Sequence, residues 1–135
     1  MHKSKVLFIS CSDPRLRPWN ERKMAELGGP REVDPIIIPG PIPLLASRDF
    51  STKFVTAWVV KLWTLHGFTR VVLTSHEDCG AVGGSEKFNG PKAEETVHRE
   101  WLRQASAKLR KLLPQVTEFE TIYVPLSEMM ADPQD

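Results

Sequence analysis

A chain of 135 residues is long enough to bury one core and too short for two. Its composition, 41% apolar and 26% charged, is that of an ordinary globular fold, and a formal net charge of +1 gives no electrostatic reason to bind nucleic acid or an anionic membrane. No run approaches a membrane-spanning helix, and Met-His-Lys-Ser-Lys passes into a strand without the apolar stretch of a signal peptide, so the expected compartment is cytoplasmic. In that compartment, two cysteines point to metal binding or catalysis before a disulfide.

The first element is Lys5 to Ser10, a continuous apolar run that suits a strand buried on both faces. The Cys-Ser-Asp-Pro segment breaks it, because Asp-Pro favours a turn. Trp19 to Leu27 has short helical periodicity and stops at Gly28-Gly29. Val33 to Ile38 reads as a second strand, and the proline-rich residues 39–48 as loop. Asp49 or Ser51 is a candidate cap for a helix running to His66, which Gly67 ends. Phe54, Val55, Trp58, Val59, Leu62 and Trp63 recur at helical spacing, so this helix is expected to be buried on more than one side, in part at a subunit interface. Residues 70–75 form a third strand, and Gly83 to Lys92 a polar loop. Ala93 to Leu113 is a second long helix, with Val97, Trp101, Ala105, Leu109 and Leu112 on its apolar side, closed by Pro114. Phe119 to Leu126 is a fourth strand, and Met129 to Asp135 a frayed end. Strands alternating with helices imply an α/β fold: a single domain, residues 1–135, with a mostly parallel sheet of about four strands covered by helices on both faces.

Two strands deliver their chemistry at the same end. The first ends in Cys11-Ser-Asp13-Pro-Arg15, and the third in His76-Glu-Asp-Cys79-Gly80. In parallel sheets the carboxyl edge is where ligands sit. Zinc takes thiolate sulfur and imidazole nitrogen in a tetrahedron, and a catalytic site keeps three protein ligands and an open position. Cys11, His76 and Cys79 are such a set, His76 and Cys79 being close enough for one loop to present both. Asp13 and Arg15, two apart, would face one side and pair in a charge-assisted geometry. Paired, Asp13 would stay off the metal and accept a hydrogen bond from hydroxide. Unpaired, it would become a fourth ligand and close the site.

Cys11-Ser-Asp13-Pro-Arg15 resembles the C-x-D-x-R motif of the β-class carbonic anhydrases, and His76-Glu-Asp-Cys79-Gly80 resembles their H-x-x-C-G. With the order of elements between them, the resemblance covers about residues 3–85. It implies a Cys₂His zinc site, an Asp–Arg pair at Asp13 and Arg15, reversible hydration of carbon dioxide to bicarbonate, and a homodimer or higher homo-oligomer. Where the family has Arg-Asn-Ala-Gly after the second strand, this sequence has Ile37-Ile38-Pro39-Gly40, so only the glycine remains. Two thiolates would leave the metal centre less positive than three histidines do, so activity is expected to rise toward alkaline pH.

Other readings of the same residues are zinc hydrolysis of carbonyl sulfide or carbon disulfide, and a non-catalytic zinc module with Asp13 as fourth ligand. A further one is a phosphatase loop, because Cys11 and Arg17 form C-x₅-R after a strand and Asp132-Pro133 echoes a general-acid pair. Against that loop, Pro14 lacks a phosphate-binding N–H, and His76 and Cys79 go unexplained. Glu77 and Asp78 read as solvated loop acids, and His98 as exposed on its helix. His66 reads as a helix-end cation, and Lys108, Arg110 and Lys111 as a solvated helix end.

Overall fold

The computed structural model describes residues 2–129. Asp132-Pro133 and most of the expected frayed end lie outside them. Strands β1 (Val6–Cys11), β2 (Val33–Ile38), β3 (Arg70–His76) and β4 (Glu118–Val124) form one sheet in the order β2-β1-β3-β4. Every neighbouring pair is parallel. The helices are α1 (Arg17–Glu26), α2 (Pro41–Ala46), α3 (Thr52–His66), α4 (Pro91–Leu112) and α5 (Leu126–Met129).

The apolar runs of β1 and β3 are continuous because both faces of the sheet are covered. Leu7, Ile9, Val71 and Leu73 face the core under α2, α3 and α4, where Ile42, Leu45, Val59, Leu102 and Leu109 meet them. Val6, Phe8, Val72 and Val124 point the other way, onto Leu16, Trp19 and Met129 beside α1 and α5. Full burial of a side chain such as Phe8 or Leu73 is worth about 1.5–3 kcal/mol. Edge strand β2 tolerates Pro35, which stands opposite Phe8 in register.

Three expectations are corrected. Residues 39–48 are not all loop, since Pro41–Ala46 is helical with Pro41 in its first turn, where no N–H is needed. Within the single chain, helix α3 faces the core through Val55 and Val59 and leaves Phe54 and Trp58 62% and 63% exposed. The buried stripe of α4 keeps Ala105 and Leu109 but runs through Glu94, His98 and Leu102 where the apolar pattern indicates Val97 and Trp101, and Leu112 is exposed. The Lys108 ammonium is not free, but donates to the Ser47 carbonyl at 2.8 Å.

Candidate metal centre

The chain leaves β1 on one side to make β2 and returns on the other side to make β3. That reversal opens a crevice at the carboxyl ends of β1 and β3, the usual ligand position in an open parallel sheet. Cys11 is the last residue of β1 and His76 the last of β3, so both fall in the crevice by register. Cys79 follows after Glu77 and Asp78. The two Sγ atoms and a nitrogen of His76 lie within 4.8 Å of one another, and all three residues are buried.

The ligand chemistry is fixed by what surrounds each atom. His76 Nδ1–H donates to the Glu77 carbonyl at 2.8 Å, which leaves the lone pair on Nε2. Nε2 is buried and has no protein partner. The Gly40 N–H donates to Cys11 Sγ at 3.5 Å. The Cys79 thiol and then the His76 ring hold the Cys11 thiol far below its ordinary value, against the opposing effect of burial. Cys79 is pushed up by the neighbouring Cys11 thiolate and by burial. His76 is disfavoured as a cation by burial, but the Cys11 thiolate more than offsets this and raises it. One buried lone pair facing two sulfurs fits zinc, whose tetrahedron sets such atoms roughly 3.4–3.8 Å apart.

Gly40, the residue kept from Arg-Asn-Ala-Gly, is required by closeness. Its φ is 50°, and a Cβ there would lie 2.6 Å from the Ala81 Cβ and 3.8 Å from Cys79 Sγ. Asn20 of α1, which the sequence gave no reason to single out, ties down the end of β1: it accepts from the Ser10 hydroxyl at 2.7 Å and donates to the Cys11 carbonyl at 3.2 Å.

Asp13 and Arg15 do pair. Asp13 Oδ1 accepts from the Arg15 backbone N–H at 2.9 Å and from Nε at 3.2 Å, and Oδ2 accepts from Nη2 at 2.7 Å. The guanidinium holds the Asp13 carboxyl below the usual carboxylate range. With both oxygens so engaged, Asp13 stands outside the cluster of Cys11, His76 and Cys79. Asp78 is no solvated loop acid, because Arg15 Nη1 donates to its Oδ2 at 3.0 Å and Nη2 to its carbonyl at 2.9 Å. His98 is fully buried, with Nδ1 hydrogen-bonded to the hydroxyl of Ser75, the neighbour of His76. His66 pairs with Asp34 at 2.8 Å. Arg17 opens α1 and pairs with Glu21 at 3.1 Å. A cleft of about 280 Å³ is lined by Cys11 and Asp13 but by neither His76 nor Cys79, and its other walls mix the charged Arg17 and Glu21 with Met24 and Ile37.

The chain is 25% identical over 121 residues to an uncharacterized protein of Rickettsia bellii, covering 86% of this chain and 74% of the relative. It is 29% identical over 119 residues to a carbonic anhydrase of Synechococcus elongatus, covering 87% of this chain but 41% of that protein, about two fifths of its length. No protein-family model matches the chain. Among solved structures, it superposes on the β-carbonic anhydrase CafD of Aspergillus fumigatus with a TM-score of 0.60 at 14% identity, covering 96% of this chain and 88% of that one.

Proposed function

We propose, on the premise that this chain is a divergent protein with the β-carbonic anhydrase fold, that it binds one zinc ion and hydrates carbon dioxide reversibly. The observation that carries this reading is the buried, unpartnered Nε2 of His76 facing the Cys11 and Cys79 sulfurs, with Asp13 held aside by Arg15. The two thiolates and Nε2 would hold the ion. When bound, zinc supplies Lewis acidity that turns water into a hydroxide nucleophile.

The protein's own groups do the rest. Asp13 can only accept, and both its oxygens already take Arg15 N–H groups. Its remaining lone pairs accept the hydrogen bond of the attacking hydroxide, so that an oxygen lone pair, not the proton, faces the carbon. The new C–O bond forms as one C=O electron pair moves onto its oxygen, giving bicarbonate, and the proton released in forming hydroxide goes to buffer. Arg15 keeps Asp13 ionised and fixed. Exposed Phe54 and Trp58 on α3 favour a second copy covering that face, as a homodimer or higher homo-oligomer.

The test is stopped-flow carbon dioxide hydration by zinc-loaded protein, with carbonyl sulfide and carbon disulfide as parallel substrates. Asp13→Ala should keep its zinc and lose about a hundredfold in kcat, the scale of removing one oriented hydrogen-bonding group. Loss of the metal in that variant would make Asp13 a ligand and the site a closed, structural one.

A further inference from the structure

Glu94 sits near the start of α4 and is 1% exposed, the one buried acid among the described residues. No lysine or arginine among them lies within ion-pair distance of it. A carboxylate buried without a cation is costly unless its hydrogen bonds offset the lost hydration. Its two bonds both go to the loop that carries Cys79. Oε2 accepts from the Asp78 N–H at 2.7 Å, and Oε1 accepts from the Ser85 hydroxyl at 2.8 Å.

Asp78 is the only non-glycine residue among those described with a positive φ, at 60°. The left-handed region disfavours most L-residues by about 1–2 kcal/mol and aspartate less, and contacts on both sides hold Asp78 there. On one side Glu94 takes its N–H. On the other, Asp78 Oδ1 accepts from the Ser85 N–H at 2.8 Å, while Oδ2 and the carbonyl bind Arg15. The packing is close, since a Cβ on Gly84 would come within 2.8 Å of Asp78 Oδ1. Bonds therefore run without a break from Glu94 to Asp78, to Arg15, to Asp13. Cys79 is the residue next to Asp78.

We propose that Glu94 is a positioning residue for the metal centre: by holding the Asp78 N–H, it fixes both the Cys79 loop and the Arg15 guanidinium that orients Asp13. This rests on reading Cys11, His76 and Cys79 as zinc ligands. Without the acceptor, Asp78 relaxes toward negative φ. The peptide between Asp78 and Cys79 then turns, its carbonyl leaves Arg15, and the Cys79 sulfur is no longer held in place. Glutamine should substitute for Glu94. Its amide oxygen accepts from the Asp78 N–H, and its NH₂ donates to Ser85 Oγ, a hydroxyl that both accepts and donates.

The test compares zinc-loaded wild type with Glu94→Ala, Glu94→Leu and Glu94→Gln, reading zinc transfer to a chromogenic chelator and kcat and KM for carbon dioxide hydration. Glu94→Leu fills the space without an acceptor, so the result does not hang on a variant that leaves a void. Glu94→Ala and Glu94→Leu should release zinc about tenfold faster than wild type and lose about tenfold in kcat at unchanged KM, the usual effect of removing a group that orients a metal ligand. Glu94→Gln should recover most of both. Glu95→Ala, on the exposed side and paired with Arg99, should match wild type. Wild-type release rates in Glu94→Leu would overturn the proposal, as would a Glu94→Gln as impaired as Glu94→Ala, because charge and not the acceptor would then be at work. Should wild type bind zinc yet not hydrate carbon dioxide, the functional reading fails alone and the release rates still decide the role of Glu94.

Discussion

Acidification should destabilise this protein through His98, by an amount the structure sets. The ring is fully buried against Phe88, Trp101 and Tyr123, with the Trp101 ring centroid 4.9 Å away. Nδ1 is taken by Ser75 and Nε2 has no partner. Burial holds its pKa down from 6.5 to about 4, with Glu94 pulling the other way and His76 adding to the depression. Between those values the unfolded chain binds a proton that the folded one refuses, so stability falls as pH falls, beginning near 6.5 and ending near 4. At about 1.4 kcal/mol per pH unit, that span is worth about 3 kcal/mol, a large part of a typical folding free energy. Urea unfolding of wild type and His98→Leu at a series of pH values between about 7 and about 4 measures it. Carboxylates and metal ligands are common to both proteins and cancel in the difference. Wild type should lose about 3 kcal/mol more than His98→Leu over the range. Parallel losses would show that His98 is not held neutral by its surroundings.

Gly40→Ala should destabilise by about 1–3 kcal/mol in the same unfolding assay, because its Cβ would collide with Ala81 at a left-handed φ. Wild-type stability there would mean that the crevice is looser than its distances indicate. Carbon dioxide hydration should rise from neutral toward alkaline pH, because two thiolates leave the centre less positive than three histidines do; a flat profile from about pH 6 to about pH 9 would count against that ligand set. Trp58→Glu should convert an oligomer to monomer in analytical ultracentrifugation, because Trp58 is 63% exposed beside Phe54 on α3. An unchanged sedimentation coefficient would place the interface elsewhere.

The sheet and the clustering of Cys11, His76 and Cys79 are legible in the sequence because their constraints are local. Val-Leu-Phe-Ile-Ser and Val-Val-Leu-Thr-Ser have no polar side to offer solvent, which forces strands covered on both faces, and each run ends at a residue with ligand chemistry. Helix α2 was hidden because Pro39, Pro41 and Pro43 read as breakers, although proline is tolerated in a first turn. The first half of the α4 face was misplaced because its buried stripe there contains Glu94 and His98, which no apolar periodicity can register, whereas Ala105 and Leu109 are buried as expected. Val97 and Trp101 drew the expectation to a half-buried flank. Asp78 was invisible for a different reason: its partners Arg15 and Glu94 lie far away in sequence, and a single acid beside a cysteine carries no sign of them. One weak signal was present, since Asp is among the few residues that tolerate a left-handed turn.

The most direct test of the account is zinc per chain by elemental analysis. Wild type and Cys79→Ser would be purified under reducing conditions without chelator, offered one equivalent of zinc and desalted. Wild type should hold one zinc per chain and Cys79→Ser should lose most of it, because the serine hydroxyl replaces a thiolate with a hard and weakly acidic group. Wild type without zinc, or Cys79→Ser that holds it as firmly, would contradict the assignment of Cys11, His76 and Cys79 as a metal centre.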